Sequence, residues 1–232
     1  MAETDADVDA LSQRAVGRRL VVLAAAAGCL DVFCVTRLGG FFASVITGNV
    51  VQFGHALVAA EARLVLGGAV AVLAYTSGVA VATFSLRRVE AGWQGRTRRV
   101  LAAESLLLAG VAAGWWATNG HPGYAATLAL LAGAAVASGV QSVVTISSGI
   151  RGASTTYLTG SLTGMVRNLV LDPHRFAAGA GGAARLLGLL AGAVLGAAAL
   201  RVAPRWTPVL AAALVAVVAV GARPRRTRLP GR

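Results

Sequence analysis

Six long apolar runs limit the fold of this chain more than any other feature. They cover residues 20–37, 64–86, 100–117, 124–147, 184–201 and 207–222. Each has roughly the twenty residues that an α-helix needs to cross the hydrocarbon core of a bilayer. Charged residues make up 13% of the chain, which is about half the fraction in a typical soluble domain. The runs therefore predict an all-α, polytopic membrane protein in contact with the lipid bilayer, with about six transmembrane helices.

Two further segments, 41–60 and 153–171, are apolar on balance but rich in Gly, Ser, Thr and Asn. The first contains the stretch "FFASVITGNVVQFG", in which Thr47, Gly48 and Asn49 are predicted to interrupt a helix. Backbone freed from helical bonding is tolerated at membrane depth only where protein or a wet cavity satisfies it. We therefore expect two broken or re-entrant segments beside the six transmembrane helices.

An internal repeat relates residues 28–51 to residues 139–163. The offset is 111 at Gly28 and Gly139, and it becomes 112 where Thr-Gly-Asn meets Thr-Gly-Ser. In each copy a membrane helix leads to a turn with Gly and Arg, a hydroxyl-rich stretch and the T-G-N/S step, and two ordinary helices follow. The predicted organisation is a flexible cytoplasmic tail (1–19), a first membrane repeat (20–117), a second membrane repeat (118–222) and a basic cytoplasmic tail (223–232).

The arginines predict the topology, since every one of the 21 Lys+Arg residues is Arg. If the T-G-N/S segments do not cross and the amino terminus is cytoplasmic, 17 Arg lie inside and 4 outside. If both segments cross, the split becomes 12 to 9, so the positive-inside rule favours the first scheme. Both termini and the 87–99 loop are then cytoplasmic, and 118–123 is external. Three crossings per half would make this a 3+3 inverted repeat, a layout typical of transporters.

Polar residues around the two breaks are the candidate binding site for a small solute or ion. The inverted arrangement predicts that they line one cavity near the midplane: Asp31, Thr47, Gly48, Asn49, Gln141, Thr156, Tyr157, Thr159 and Gly160. A carboxylate inside a membrane helix, such as Asp31, is a functional candidate by default. Two alternatives remain open. Small residues at the breaks would also allow close helix packing, and Asp31 would also serve as a structural hydrogen-bond partner of the T-G-N backbone.

Two other features have simpler interpretations. Glu104 lies close to Arg98 and Arg99, which predicts an ion pair at the membrane surface. The stretch "GLLAGAVLG" places glycines at a four-residue spacing, which predicts a close-packing face for a neighbouring helix or for a second copy in a homo-oligomer. The glycines of that face are Gly188, Gly192 and Gly196.

Several function classes are disfavoured. The net charge of +12 suggests nucleic acid, but the arginines cluster between apolar runs as in cytoplasmic loops, so no nucleic-acid partner is expected. The three His residues give no metal-ligand spacing, and no Walker, Rossmann or nucleophile-elbow pattern is present. We expect no catalytic residues, no metal, no cofactor and no enzymatic activity.

The stretches "GCLDVF", "GGFFASVITGNVV", "SGVQSVV" and "TTYLTGSLTGMV" resemble the YoaK family of bacterial membrane proteins, domain of unknown function 1275. The resemblance covers roughly residues 18 to 222. It implies about six membrane helices without a soluble catalytic domain, in the bacterial inner membrane. It does not imply a substrate. The leading hypothesis is a transporter or channel, and the alternative is a non-transporting scaffold or regulatory partner in the membrane.

Overall fold

The computed structural model describes residues 2–88, 93, 95–150, 153–155, 158–171 and 176–221, with side chains from residue 13 onward except at 176–179. Within these ranges the chain forms α-helices and a short 3-10 turn at Pro204–Trp206, without β-strands. The helices are α1 (Ala2–Arg37), α2 (Ile46–Val58), α3 (Ala62–Leu86), α4 (Gly95–Ala117), α5 (Tyr124–Ile146), α6 (Leu158–Leu171), α7 (Phe176–Val202) and α8 (Thr207–Gly221). This architecture confirms the prediction of an all-α polytopic protein.

Six spans in the described residues are long and apolar enough to cross a membrane, and they belong to α1, α3, α4, α5, α7 and α8. The other two helices, α2 and α6, have 13 and 14 residues. At a rise of about 1.5 Å per residue each reaches only about 20 Å, whereas the hydrocarbon core is about 30 Å thick. The two segments with T-G-N/S steps are therefore half-length helices.

The interruption of the first repeat lies earlier than the sequence suggested. Helix α1 ends at Arg37, and Gly39 and Gly40 follow with φ of 87° and 89°. Such φ values are free of strain only for glycine, so the chain turns there. Thr47-Gly48-Asn49 lies in the first turn of α2, and the prediction that it interrupts a helix was wrong. Thr159-Gly160-Ser161 likewise lies at the start of α6.

The amino-terminal segment also differs from the expectation of a flexible tail, because α1 is helical from Ala2 onward. Residues 2–19 contain no proline and a single glycine, Gly17, so nothing in this segment stops a helix. The side chains of Val16 and Leu20 are buried, which ties the last turns of this segment to the bundle.

Helices α1 and α5 form the centre of the bundle. In the most apolar stretch of each, 61% and 67% of the residues are buried, whereas the corresponding share in the other four spans is between 22% and 39%. Phe33 of α1 contacts Trp115 of α4 edge to face, with ring centroids 5.0 Å apart. The two central helices are also the helices that lead into the two breaks, so the breaks are anchored on the best-packed part of the fold.

The close helix crossings occur as a matched pair. A Cβ at Gly192 of α7 would collide with the carbonyl oxygen of Ala25 in α1. A Cβ at Gly78 of α3 would collide with the carbonyl oxygen of Val136 in α5. Ala25 and Val136 are 111 residues apart, and Gly78 and Gly192 are 114 residues apart. The α1–α7 crossing thus uses the same repeat positions as the α5–α3 crossing.

Reciprocal glycines complete each crossing. Gly28 of α1 faces the backbone of Leu189 in α7, and Gly139 of α5 faces the backbone of Tyr75 in α3. These contacts follow the same two offsets. The repeat read from the sequence therefore extends to the packing of four helices.

The glycine face of α7 is occupied within the chain. Its three glycines lie against α1 at Val21, Ala25 and Cys29. Of the two predicted uses for Gly188, Gly192 and Gly196, the structure shows the contact with a neighbouring helix. A second copy of the chain would have to bind another surface.

Candidate functional site

Asp31 holds the non-helical segment 38–45 that leads from α1 to α2. Its carboxylate accepts two hydrogen bonds from Ser44, one from the backbone N–H at 2.8 Å and one from the hydroxyl at 2.5 Å. Both residues are buried. Bonds to an ionised acceptor are among the stronger hydrogen bonds in proteins, so this contact fixes the segment against α1. Asp31 is bonded not to the T-G-N backbone but to a residue a few positions before it.

Asn49 makes a second clamp on the same segment. Its side-chain amide donates to the carbonyl oxygen of Phe42 at 2.8 Å and accepts from the backbone N–H of Phe42 at 2.9 Å. The side chain is fully buried. A backbone without regular secondary structure leaves its polar groups unpaired, and a buried amide can satisfy one donor and one acceptor at once. Asn49 therefore supports the segment in the way a neighbouring strand would.

The second repeat carries a related clamp. The amide of Gln141 in α5 donates to the Thr155 hydroxyl and to the Leu23 carbonyl oxygen, each at 3.0 Å. At the offset of 112 that holds at the T-G-N/S step, the counterpart of Ser44 is Thr156, so the hydroxyl partner Thr155 is shifted by one position. Ser142 occupies the place of Asp31, and its hydroxyl pairs with the Tyr75 hydroxyl at 2.8 Å. The neutral amide of Gln141, one residue before the counterpart of Asp31, thus makes the contact that the carboxylate makes in the first repeat.

The remaining predicted site residues are less buried or undescribed. Thr47, Thr159 and Gly160 are exposed on the helical bundle, and Gly48 is half-buried. Thr156 and Tyr157 lie outside the described residues. The buried members of the predicted set are therefore Asp31, Asn49 and Gln141.

The buried members belong to two separate clusters. Gln141 bonds to Leu23, and Asp31 lies eight residues further along α1, which corresponds to about 12 Å of helix. The buried polar groups of each cluster are hydrogen-bonded locally. A shared cavity near the midplane, and binding of a solute by these residues, stay predictions.

Three cavities in the described part of the chain are lined by other residues than the members of these two clusters. One of about 430 Å³ lies between α4 and α8 beside Trp206, and its lining is apolar. One of about 210 Å³ lies where α1 ends, beside Tyr124 of α5. The third, about 220 Å³, lies among α3, α4 and α5 and is lined by Glu104. None of these three is lined by a residue of the predicted site.

Comparison with known proteins identifies the family. The family model described as "Protein of unknown function (DUF1275)" matches residues 19–221, which includes both copies of the repeat, most of the first apolar span and the other five spans entirely. The chain belongs to the DUF1275 family. This membership confirms the resemblance carried by the two T-G-N/S stretches.

A curated relative of this DUF1275 protein is the UPF0700 transmembrane protein YoaK of Bacillus subtilis (strain 168). The two sequences are 26% identical over 151 residues, which span 65% of each chain. No solved structure matches the chain. The relative's description as a transmembrane protein agrees with the six apolar spans and supports a membrane location.

The sequence interpretation of Glu104 was wrong for this DUF1275 protein. The residue is 2% exposed, and it makes no hydrogen bond or ion pair with any described residue. Arg98 and Arg99, its expected partners, are exposed. The sequence feature that could have identified Glu104 is a single carboxyl within an apolar run, the feature that selected Asp31. Because Arg98 and Arg99 are close in sequence, Glu104 was interpreted as their ion-pair partner instead.

Proposed function

We propose that this DUF1275 protein is a transporter for a small solute or ion, built from two membrane halves of opposite orientation. One observation carries the proposal. The α1–α7 and α5–α3 crossings use corresponding residues of the two repeats. In both crossings a glycine of each helix lies against the backbone of the other helix. Halves related in this way have equivalent arrangements open to either side of a membrane, which is the basis of alternating access in inverted-repeat transporters.

The T-G-N/S segments have a defined place in this mechanism. In the first repeat the T-G-N step begins the half-length helix α2, and Asp31 and Asn49 hold the segment before it. In the second repeat Gln141 and Thr155 make a related contact before α6. Release of one clamp would free backbone and side-chain polar groups at membrane depth for a solute. A polar solute that takes over these hydrogen bonds would offset part of the cost of releasing the clamp.

Orientation is part of the proposal. With both termini cytoplasmic, α1 and α5 run in opposite directions across the bacterial inner membrane, because α5 is the third span after α1. Single-cysteine variants in a Cys29→Ala, Cys34→Ala background test this. Arg88→Cys should react with an impermeant maleimide only after the cells are opened, and Asn119→Cys should react in intact cells. The reverse pattern would overturn the orientation and the arginine argument behind it.

Flux in proteoliposomes tests transport itself. Purified protein would be reconstituted and assayed with labelled amino acids, sugars, nucleosides and monovalent ions against protein-free liposomes. Asp31→Asn keeps the shape of the side chain and one acceptor oxygen but removes the charge, so it should reduce the flux of whichever solute is carried. Glu61→Gln, at an exposed carboxyl before α3, is the matched control and should leave flux unchanged.

A second candidate is a non-transporting membrane scaffold or regulatory partner. The observation in its favour is that Asp31, Asn49 and Gln141 are satisfied by contacts within the chain. This function predicts no flux above protein-free liposomes for any solute of the panel. It also predicts that Asp31→Asn alters stability alone. The same experiment therefore separates the two candidates.

A further inference from the structure

The groove that contains Glu104 is the one cavity of the three described above with an acidic lining. It is formed by Val81, Ala82 and Ser85 of α3, by Val100, Ala103, Glu104 and Leu107 of α4, and by Val136 and Val140 of α5. Its volume is about 220 Å³. Helices α3 and α4 have little direct contact and both pack on α5. The groove therefore opens sideways between them, where Val81 is exposed on the surface of the bundle.

The carboxyl group in this groove has no protein partner among the described residues. Glu104 is 2% exposed, and its Oε2 atom is buried without a hydrogen-bond partner. The hydroxyl of Ser85, the other polar side chain of the lining, donates to the Val81 carbonyl oxygen at 2.7 Å. A buried charge without a counter-charge is strongly disfavoured. The groove thus has a buried carboxyl group for which the described residues supply no cation, so its ionised form needs a cation from outside the chain.

The chemistry of the lining defines the class of ligand. A metal cation such as Ca²⁺ or Mg²⁺ takes six or more oxygen ligands, whereas the side chains here offer one carboxyl and one hydroxyl already in use. The other walls are alkyl groups of Val, Ala and Leu. An apolar pocket with one well-placed charged group is the usual form of a site for a small organic molecule. The matching ligand has one positive charge surrounded by carbon.

The surroundings favour entry from the lipid side. Arg87, Arg88, Arg98 and Arg99 are exposed near the end of α3 and the start of α4, and their charges disfavour the approach of any cation from the aqueous face. A cation with apolar substituents partitions into the membrane surface first and reaches the sideways opening from there.

We propose that the Glu104 groove binds a small lipophilic organic monocation, with the Glu104 carboxylate as its counter-charge. The site is separate from the Asp31 and Gln141 clusters. Binding at Glu104 would stand whether or not the protein transports a solute, because the groove and its carboxyl are complete in the structure without any movement of the repeats.

Equilibrium dialysis of the purified full chain in non-ionic detergent tests this, with radiolabelled benzyltrimethylammonium as the probe. Neopentylbenzene, in which carbon replaces the charged nitrogen, is the neutral competitor of the same shape. We expect saturable binding of the cation, competition by unlabelled cation and at least about tenfold weaker competition by neopentylbenzene, since a charge pair in a low dielectric is worth more than a factor of ten. Equal competition by the two compounds would mean apolar partition only and would overturn the proposal, as would the absence of saturable binding.

Variants locate the site. Glu104→Gln should weaken binding at least about tenfold, while Glu61→Gln, the same chemical change at an exposed position before α3, should not. Ala103→Leu keeps the carboxyl but fills the groove from the exposed side of α4, so it should also abolish binding, and it serves as the test if Glu104→Gln fails to fold. Unchanged affinity in either groove variant, measured on monodisperse protein, would refute the assignment.

Discussion

Asp31 and Glu104 are both buried carboxyl groups in apolar helices, and their surroundings differ sharply. Asp31 accepts two hydrogen bonds from Ser44 and thereby anchors the segment before α2. Glu104 has no hydrogen-bond partner among the described residues and lines a groove between α3 and α4. The first group does structural work inside the chain. The second adds a cost to folding that the described contacts do not offset.

The difference shows that the position of a carboxyl within an apolar helix does not by itself identify its role. A charged residue in a membrane helix is a functional candidate by default, and by that rule both carboxyls rank equally. Hydrogen bonding separates them, because a satisfied carboxylate explains its own presence and an unsatisfied one does not. The comparison predicts opposite effects of removing the two groups on stability in detergent.

The largest effect is expected for Asp31→Ala. This change leaves the buried N–H and hydroxyl of Ser44 without an acceptor, so the free energy of unfolding should fall by about 2–4 kcal/mol. Asp31→Asn, which retains one acceptor oxygen, should lose clearly less. The measurement is equilibrium unfolding in mixed micelles, followed by circular dichroism. Equal stability of the alanine variant and the wild type would show that the Ser44 contact is not structural.

A somewhat smaller loss is expected for Asn49→Ala, which removes both hydrogen bonds to the Phe42 backbone. We expect the free energy of unfolding to fall by about 1–3 kcal/mol. Thr47→Ala is the matched control, because Thr47 is in the same turn of α2 but is exposed, and it should change stability by less than about 0.5 kcal/mol. A similar loss for both variants would mean that the T-G-N motif acts through helix propensity rather than through the Asn49 clamp.

The length and hydropathy of the runs were sufficient to predict the six spans and the two short segments. The repeat was also visible in sequence, because Gly28 and Gly139 stand at matching places before the two breaks. The position of the first break was missed. Thr47-Gly48-Asn49 has the composition of a turn, but the left-handed φ values fall on Gly39 and Gly40, and a buried Asn49 side chain can support a loop from within a helix.

The role of Glu104 could not be predicted from local sequence. Its burial depends on Val136 and Val140 of α5, which follow it by more than thirty residues and close the back of the groove. Hydropathy reports the average environment of a helix but not which neighbour covers each face. Asp31 was an easier case, because its partner Ser44 lies thirteen residues away, although the specific bond was not identified.

Glu104→Leu should move stability in the other direction. Replacing an unpartnered buried carboxyl with an apolar side chain removes a desolvation cost, so the free energy of unfolding should rise by about 1–2 kcal/mol. Glu61→Leu, at an exposed carboxyl before α3, is the control and should have little effect. A lower stability of Glu104→Leu would contradict the contrast with Asp31 and would indicate that Glu104 has a structural partner.

The smallest effect is expected for Thr155→Val, which asks whether the second repeat depends on its clamp as the first does. Valine matches the shape of threonine but cannot accept the hydrogen bond from Gln141. The amide retains its bond to the Leu23 carbonyl oxygen, so only one partner is lost, and the bond is between neutral groups. We therefore expect a loss of about 0.5–1 kcal/mol, measured as for Asp31→Ala. Ser44→Ala, which removes the hydroxyl partner of the clamp in the first repeat, takes away one of the two donors to a carboxylate and should cost more. If Thr155→Val proved the more damaging of the two, the neutral clamp would be the stronger anchor, and the carboxylate of Asp31 would need an explanation beyond holding its segment.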